Sequence, residues 1–188
     1  MPVTLDKIQT LNKKLEARFR DKLVVNNDLK RTLVSFQANK KIPGYRWYKF
    51  KEGYSSALVD YAINKLDIKK GKVIDPFAGS GVSLFVSAER GLDAVGVELL
   101  PIGAEIIAVR KIIFESANHN GLVAFLQEWI EKKPWEKERG RRKINHLKIT
   151  AGAFPKKTEE LLGKFLNAID KVENKKYRRV LRFALLCI

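Results

Sequence analysis

Lys72-Val-Ile-Asp-Pro-Phe-Ala-Gly-Ser-Gly81 is the stretch whose reading decides the fold. Val73 and Ile74 are β-branched and apolar, as a buried parallel strand requires. Asp75 and Pro76 end that strand. Gly79 and Gly81 then allow the backbone to turn tightly and to approach a ligand with no side chain in the way. From Val82 to Arg90 the spacing becomes helical, with Leu84, Phe85 and Ala88 on one face. A strand, a glycine turn and a helix in that order predict a nucleotide-binding corner, with free N–H groups at the helix start facing the ligand.

Downstream, Gly91 closes the helix, and Ala94-Val-Gly-Val-Glu98 reads as a second strand ending in an acid. Glu98 lies roughly twenty residues beyond the glycine turn, the offset at which a carboxylate hydrogen-bonds ribose hydroxyls. The turn is not a dinucleotide fingerprint, because the third glycine of that pattern would fall on Leu84. Upstream, Tyr45-Arg-Trp-Tyr-Lys-Phe-Lys-Glu-Gly-Tyr-Ser-Ser56 alternates aromatic and basic residues. That alternation suits a segment beside a nucleotide or a nucleic-acid backbone, and equally an extended segment packing Trp47 on the core. Ser55 or Ser56 can cap a helix whose apolar face uses Leu58, Val59, Ala62 and Ile63.

Asp75-Pro-Phe-Ala-Gly-Ser-Gly81 with Glu98 after it resembles motif I of the DNA amino-methyltransferases, which bind S-adenosylmethionine. Phe50-Lys-Glu-Gly-Tyr-Ser55, followed by a helix, resembles motif X of the same family, and Pro101 fits the family pattern of an acid, two residues and a helix start. The likeness covers residues 45 to 110 and is weaker beyond. It implies an α/β, Rossmann-like methyltransferase fold, with a mostly parallel sheet and helices on both faces, incomplete at the C-terminus. The implied division is an N-terminal helical extension over residues 1–44 and a partial S-adenosylmethionine-binding domain over 45–188. The resemblance implies cofactor contacts from Lys51, Glu52, Gly53, Ser55 and Ser56, from Asp75, Pro76, Phe77, Ala78, Gly79, Ser80 and Gly81, and from Glu98 and Leu99. In the family the motif X segment covers the methionine end of the cofactor, and a helix N-terminus suits that carboxylate.

The family's catalytic motif is Asp, Asn or Ser followed by Pro-Pro and an aromatic residue, which together hold a flipped base. No Pro-Pro occurs in the 188 residues, so no catalytic residue is assigned. The expectation is the cofactor-binding portion of a site-specific DNA methyltransferase of restriction–modification type. It would be truncated or one half of a split enzyme, completed by a second polypeptide that carries the missing motif. The alternatives are an RNA methyltransferase fragment, or a non-catalytic cofactor- or nucleic-acid-binding partner subunit.

The remaining composition is consistent with these classes. Lys plus Arg number 37 against 21 acids, a formal net charge of +16, which favours a polyanionic partner, double-stranded DNA first. The single cysteine, Cys187, excludes an internal disulfide and a cysteine-based zinc cluster, and no metal site is expected. No apolar run is long enough for a membrane span and no signal-peptide core is present, so a cytoplasmic protein is expected. Leu5, Ile8, Leu11, Leu15 and Phe19 mark an amphipathic helix after Thr4, and Leu29, Leu33 and Phe36 a short second one. Further helices are expected from Pro101 to about Asn118, from Leu122 to Lys132 and from Thr158 to Ile169. Pro134 to Lys148 reads as an exposed basic loop, and Val180 to Ile188 as an apolar run that could form a seam with another chain. His119 and His146 read as surface or helix-end residues.

Overall fold

Two parallel strands, β1 (Lys72–Asp75) and β2 (Asp93–Gly96), pair in register from Lys72 opposite Asp93 to Asp75 opposite Gly96. The helix α3 (Val82–Glu89) joins them. The computed structural model describes residues 4–22, 24–51, 53–115, 120–140 and 142–187. Around this unit lie α1 (Leu5–Phe19), α2 (Ser56–Lys65), α4 (Pro101–Glu115), α5 (Asn120–Lys132), α6 (Lys156–Asp170) and α7 (Lys175–Leu186). The described chain is therefore rich in helix, with one small parallel sheet.

The core has two centres. Tyr45, Ile63, Val82, Phe85, Val86 and Leu92 form the first, with Val73 and Ile107 packed against it. This centre joins one face of the sheet to α2 and α3. Ile106, Val109, Leu122, Val180 and Phe183 form the second, where α4, α5 and α7 meet. Each such buried aliphatic or aromatic side chain contributes about 1.5–3 kcal/mol relative to exposure. The Glu105 carboxylate accepts two N–H groups of Arg179, closing the α4–α7 contact at its polar edge.

Several expectations change. Ile74 is not buried: it is 69% exposed, and Val95 and Val97 are exposed beside it. Side chains alternate along a strand, so Val73 enters the core while Ile74 faces away. Among the described residues the helices pack on the Val73 face, and the arrangement is compatible with a partial Rossmann-like sheet. The second helix expected from Leu29, Leu33 and Phe36 does not form: Leu29 to Ser35 is loop and turn, leading into a short 3-10 helix over Phe36–Lys41. The ending read as an apolar run is mostly an amphipathic helix, α7. Its cap is Asn174, whose side-chain oxygen accepts the N–H groups of Lys176 and Tyr177. Val180, Leu181 and Phe183 enter the core while Leu186 remains exposed; Ile188 lies outside the described residues.

The basic stretch after α5 has more structure than a free loop. Trp135 stacks on Phe165 of α6 with ring centroids 4.5 Å apart. Glu138 pairs with Lys171, Arg142 with Asp170, and His146 with Glu159. Lys137, Arg139 and Lys143 stay exposed, whereas Arg141 lies outside the described residues. No described helix is long and apolar enough to cross a membrane.

Candidate functional site

The site is the end of the sheet where β1 and β2 hand the chain to the following helices. β1 runs into Asp75, whose carboxylate has three uses. One oxygen accepts the Phe77 N–H at 3.0 Å, which folds the backbone back after Pro76. The other accepts the Tyr54 hydroxyl at 3.1 Å and the Ser83 hydroxyl. Asp75 thus ties the start of the glycine turn to α3 and to the segment before α2. Burial, followed by the nearby Asp75 carboxylate, pushes the Tyr54 phenol up from its ordinary range, so it donates at neutral pH.

Gly79 and Gly81 both have left-handed backbones, at φ +53° and +77°. A side chain is disfavoured there by backbone conformation alone. Space is also short: a Cβ on Gly81 would come within 2.8 Å of Ile107, and one on Gly79 within 3.3 Å of the Phe50 ring. Phe50 therefore lies directly over the glycine turn. The turn is held to the chain just after β2 by Ala78, whose N–H reaches the Val97 carbonyl at 2.9 Å.

Glu98 closes the arrangement. Its carboxylate accepts the Gly79 N–H at 2.6 Å and the Leu100 N–H at 2.7 Å. An ionised carboxylate has about four acceptor sites, so two remain for a ligand's hydroxyl groups. The following helix comes very close. A Cβ on Gly103, in the first turn of α4, would meet the Gly79 carbonyl and the Glu98 side chain at 2.7 Å. Phe77 and Leu99 flank the site with apolar side chains 87% and 91% exposed.

The segment before α2 reaches the same end of the sheet through Tyr54 and Phe50. Ser55, rather than Ser56, caps α2: its hydroxyl oxygen accepts the Leu58 N–H at 3.2 Å while its own hydrogen goes to the Leu33 carbonyl. Asn39, fully buried, donates to the Tyr54 carbonyl and accepts the Ser56 N–H, fixing the backbone on both sides of Ser55. Ser55 and Ser56 are buried, Gly53 is half-buried and Lys51 is exposed. Glu52 lies outside the described residues. Within the turn, Ala78, Ser80 and Gly81 are buried, Asp75 and Gly79 half-buried, and Pro76 exposed. His146 and Cys187 lie elsewhere in the chain, and His119 is outside the described residues. Burial raises the Cys187 thiol above its ordinary value, as expected of an inert packed cysteine. No described cluster of His, Cys, Asp and Glu could hold a metal ion.

Sequence reading missed Tyr54, Asn39, Ser83, Gly103 and Arg110. Two carried a usable signal. A glycine in the first turn of a helix marks a close backbone approach, and a charged residue beside Val109 on an apolar helix face marks a buried polar partner. Burial brings the Arg110 guanidinium down to about 10, still charged at neutral pH.

The arrangement can bind a ligand that offers hydroxyl donors to Glu98 and flat apolar surface to Phe77 and Leu99. It supplies no described nucleophile–base pair. Over 185 residues, 98% of its length, the chain is 46% identical to the type II methyltransferase M.AvaI of Nostoc sp.. The same identity holds for M.AvaI of Anabaena variabilis. Over 147 residues, 78% of its length, it is 36% identical to the type II methyltransferase M.BsoBI of Geobacillus stearothermophilus. The chain spans 38% of the length of the M.AvaI proteins and 28% of M.BsoBI. No protein-family profile and no solved structure matches it.

Proposed function

The chain is homologous to part of the type II methyltransferases, and from that premise we propose that it is the S-adenosylmethionine-binding portion of a DNA methyltransferase of restriction–modification type, acting on an exocyclic base amine. The observation that carries the cofactor reading is Glu98, anchored by two backbone N–H groups with acceptor capacity to spare, beside a left-handed glycine turn. Such a carboxylate suits ribose hydroxyls, and the turn permits close backbone approach. Phe77 and Leu99 supply apolar surface for the adenine. Gly53 to Ser56, held by Tyr54 and Asn39, would meet the methionine end near the start of α2, together with Lys51 and Glu52. The cofactor supplies the methyl group; these residues bind and orient it. In this reading residues 1–44 are an extension and 45–188 the partial cofactor domain.

Calorimetry with S-adenosylhomocysteine, the demethylated cofactor, tests the assignment. Wild type should bind. Glu98→Gln keeps the size but loses charge-assisted hydrogen bonds, and should weaken binding by about 1–3 kcal/mol. No heat at millimolar ligand, or equal affinity in the variant, counts against the site.

The DNA partner rests on reading the type II methyltransferase relatives as restriction–modification enzymes and on the charge of +16. Lys137, Arg139 and Lys143 are exposed members of one basic stretch, in which Arg142 is paired with Asp170. Its association with duplex DNA should be non-specific and salt-sensitive. Replacing all three by Gln should lower affinity at 50 mM salt and flatten the salt dependence by about two to three in log–log slope, since each phosphate contact releases a counterion. Fluorescence anisotropy with a mixed-sequence duplex is the check, and an unchanged slope would remove this cluster from the DNA surface.

A further inference from the structure

Arg110 sits in α4, 6% exposed, and among the described residues its hydrogen-bond partners are backbone carbonyls, with no carboxylate in salt-bridge contact. Its guanidinium is spent on backbone. One terminal nitrogen donates to the Ser80 carbonyl at 2.7 Å, inside the glycine turn. The other donates to the Tyr45 carbonyl at 3.3 Å, and Nε to the Gly44 carbonyl at 3.1 Å. The guanidinium carbon also lies 4.9 Å from the centre of the Tyr45 ring, a cation–π arrangement that offsets part of the burial of charge. Tyr45 in turn donates its hydroxyl to Glu89 at 3.2 Å, so the phenol links the guanidinium to that carboxylate.

Three segments far apart in sequence therefore meet on one planar fork: residues 44–45, which begin the aromatic segment; Ser80, between the two left-handed glycines; and α4, whose first turn carries Gly103 against Gly79 and Glu98. A lysine cannot reproduce this, because a single ammonium on a flexible stem lacks the fixed fork. Burying a charge against carbonyl dipoles is costly, and an apolar residue here would fill space with less penalty. What the guanidinium provides instead is a fixed distance between the glycine turn and the segment that ends in Phe50 and Tyr54.

We propose that Arg110 is a positioning residue of the cofactor site: it fixes the glycine turn through Ser80 and couples the turn to the segment beginning at Gly44, so that the adenosine and methionine ends of one ligand are recognised by parts held in register. This rests on the cofactor reading above. Arg110 does not touch the ligand; its effect is on the spacing of groups that do.

The test compares Arg110→Lys with wild type by hydrogen exchange of the free chain and by calorimetry with two ligands, S-adenosylhomocysteine and 5′-methylthioadenosine, which lacks the amino-acid end. Arg110→Lys should exchange faster at 78–83 and 44–46 while β2 stays protected. Its affinity for S-adenosylhomocysteine should fall about tenfold, and that for 5′-methylthioadenosine less than threefold. Arg110→Met, which leaves the carbonyls unpaired, should show the same selectivity more strongly if it folds. Unchanged local exchange overturns the proposal, and so does an equal loss for both ligands, which is the mark of a merely structural role. A wild-type chain that binds neither ligand overturns the cofactor reading instead, and the exchange result then still decides whether Arg110 holds the turn.

Discussion

Gly103→Ala is expected to reduce S-adenosylhomocysteine affinity by about 10- to 100-fold, the order of loss when the charge-assisted hydrogen bonds of Glu98 to a ligand are misplaced. The reason is steric and leaves little room for relaxation. The new methyl would stand 2.7 Å from the Gly79 carbonyl and from Glu98 Cγ, and 2.8 Å from Glu98 Cδ. One obstacle is backbone inside a glycine turn, and the other is the side chain whose carboxylate is tied to Gly79 and Leu100. The start of α4 must move away, or Glu98 must leave its two N–H groups; either opens the site. Overpacking of this kind also costs about 1–3 kcal/mol of stability. Gly140→Ala is the control, since its Cβ would meet nothing nearer than Asn167 at 3.4 Å. Calorimetry and thermal unfolding decide the matter together. Binding by Gly103→Ala within threefold of wild type would mean that α4 does not set the position of Glu98.

Methyl transfer to DNA by the 188-residue chain alone should not exceed background, and a polypeptide carrying the remaining length of the M.AvaI relative should raise it at least about 100-fold. The donor and the base amine must be held a few ångströms apart in line, and a chain that binds only the donor gains nothing from proximity. The sequence has no Pro-Pro motif to hold a flipped base, and the chain spans 38% of those relatives. The sheet has room for an addition: Ile74, Val95 and Val97 leave one face uncovered, and both strands have a free edge among the described residues. An apolar face of this kind marks a surface that another element covers. Ile74→Lys should therefore block the restored activity while leaving S-adenosylhomocysteine binding intact. Incorporation of labelled methyl groups into mixed-sequence DNA, with and without the second polypeptide, is the measurement. Strong incorporation by the chain alone would show that an acceptor site exists within these residues.

The sequence by itself determined the parts that depend on local backbone demands. Gly79 and Gly81 are needed where φ is positive, Asp75 and Pro76 end a strand, and the change of apolar period from β1 to α3 is readable within a dozen residues. Glu98 was legible because its offset follows from the length of one helix and one strand. The tertiary structure alone decided what those groups touch. It chose Ser55 over Ser56 as the cap, because Asn39 from a distant short helix fixes the backbone there. It turned Ile74 outward, which alternation permits but which only the set of neighbouring elements determines. It placed Gly103 against Gly79, and Arg110 on carbonyls as far as 66 residues away in sequence. Periodicity and turn chemistry act over a few residues. Close approach of one backbone to another, and the pairing of a buried charge, depend on segments that only folding brings together.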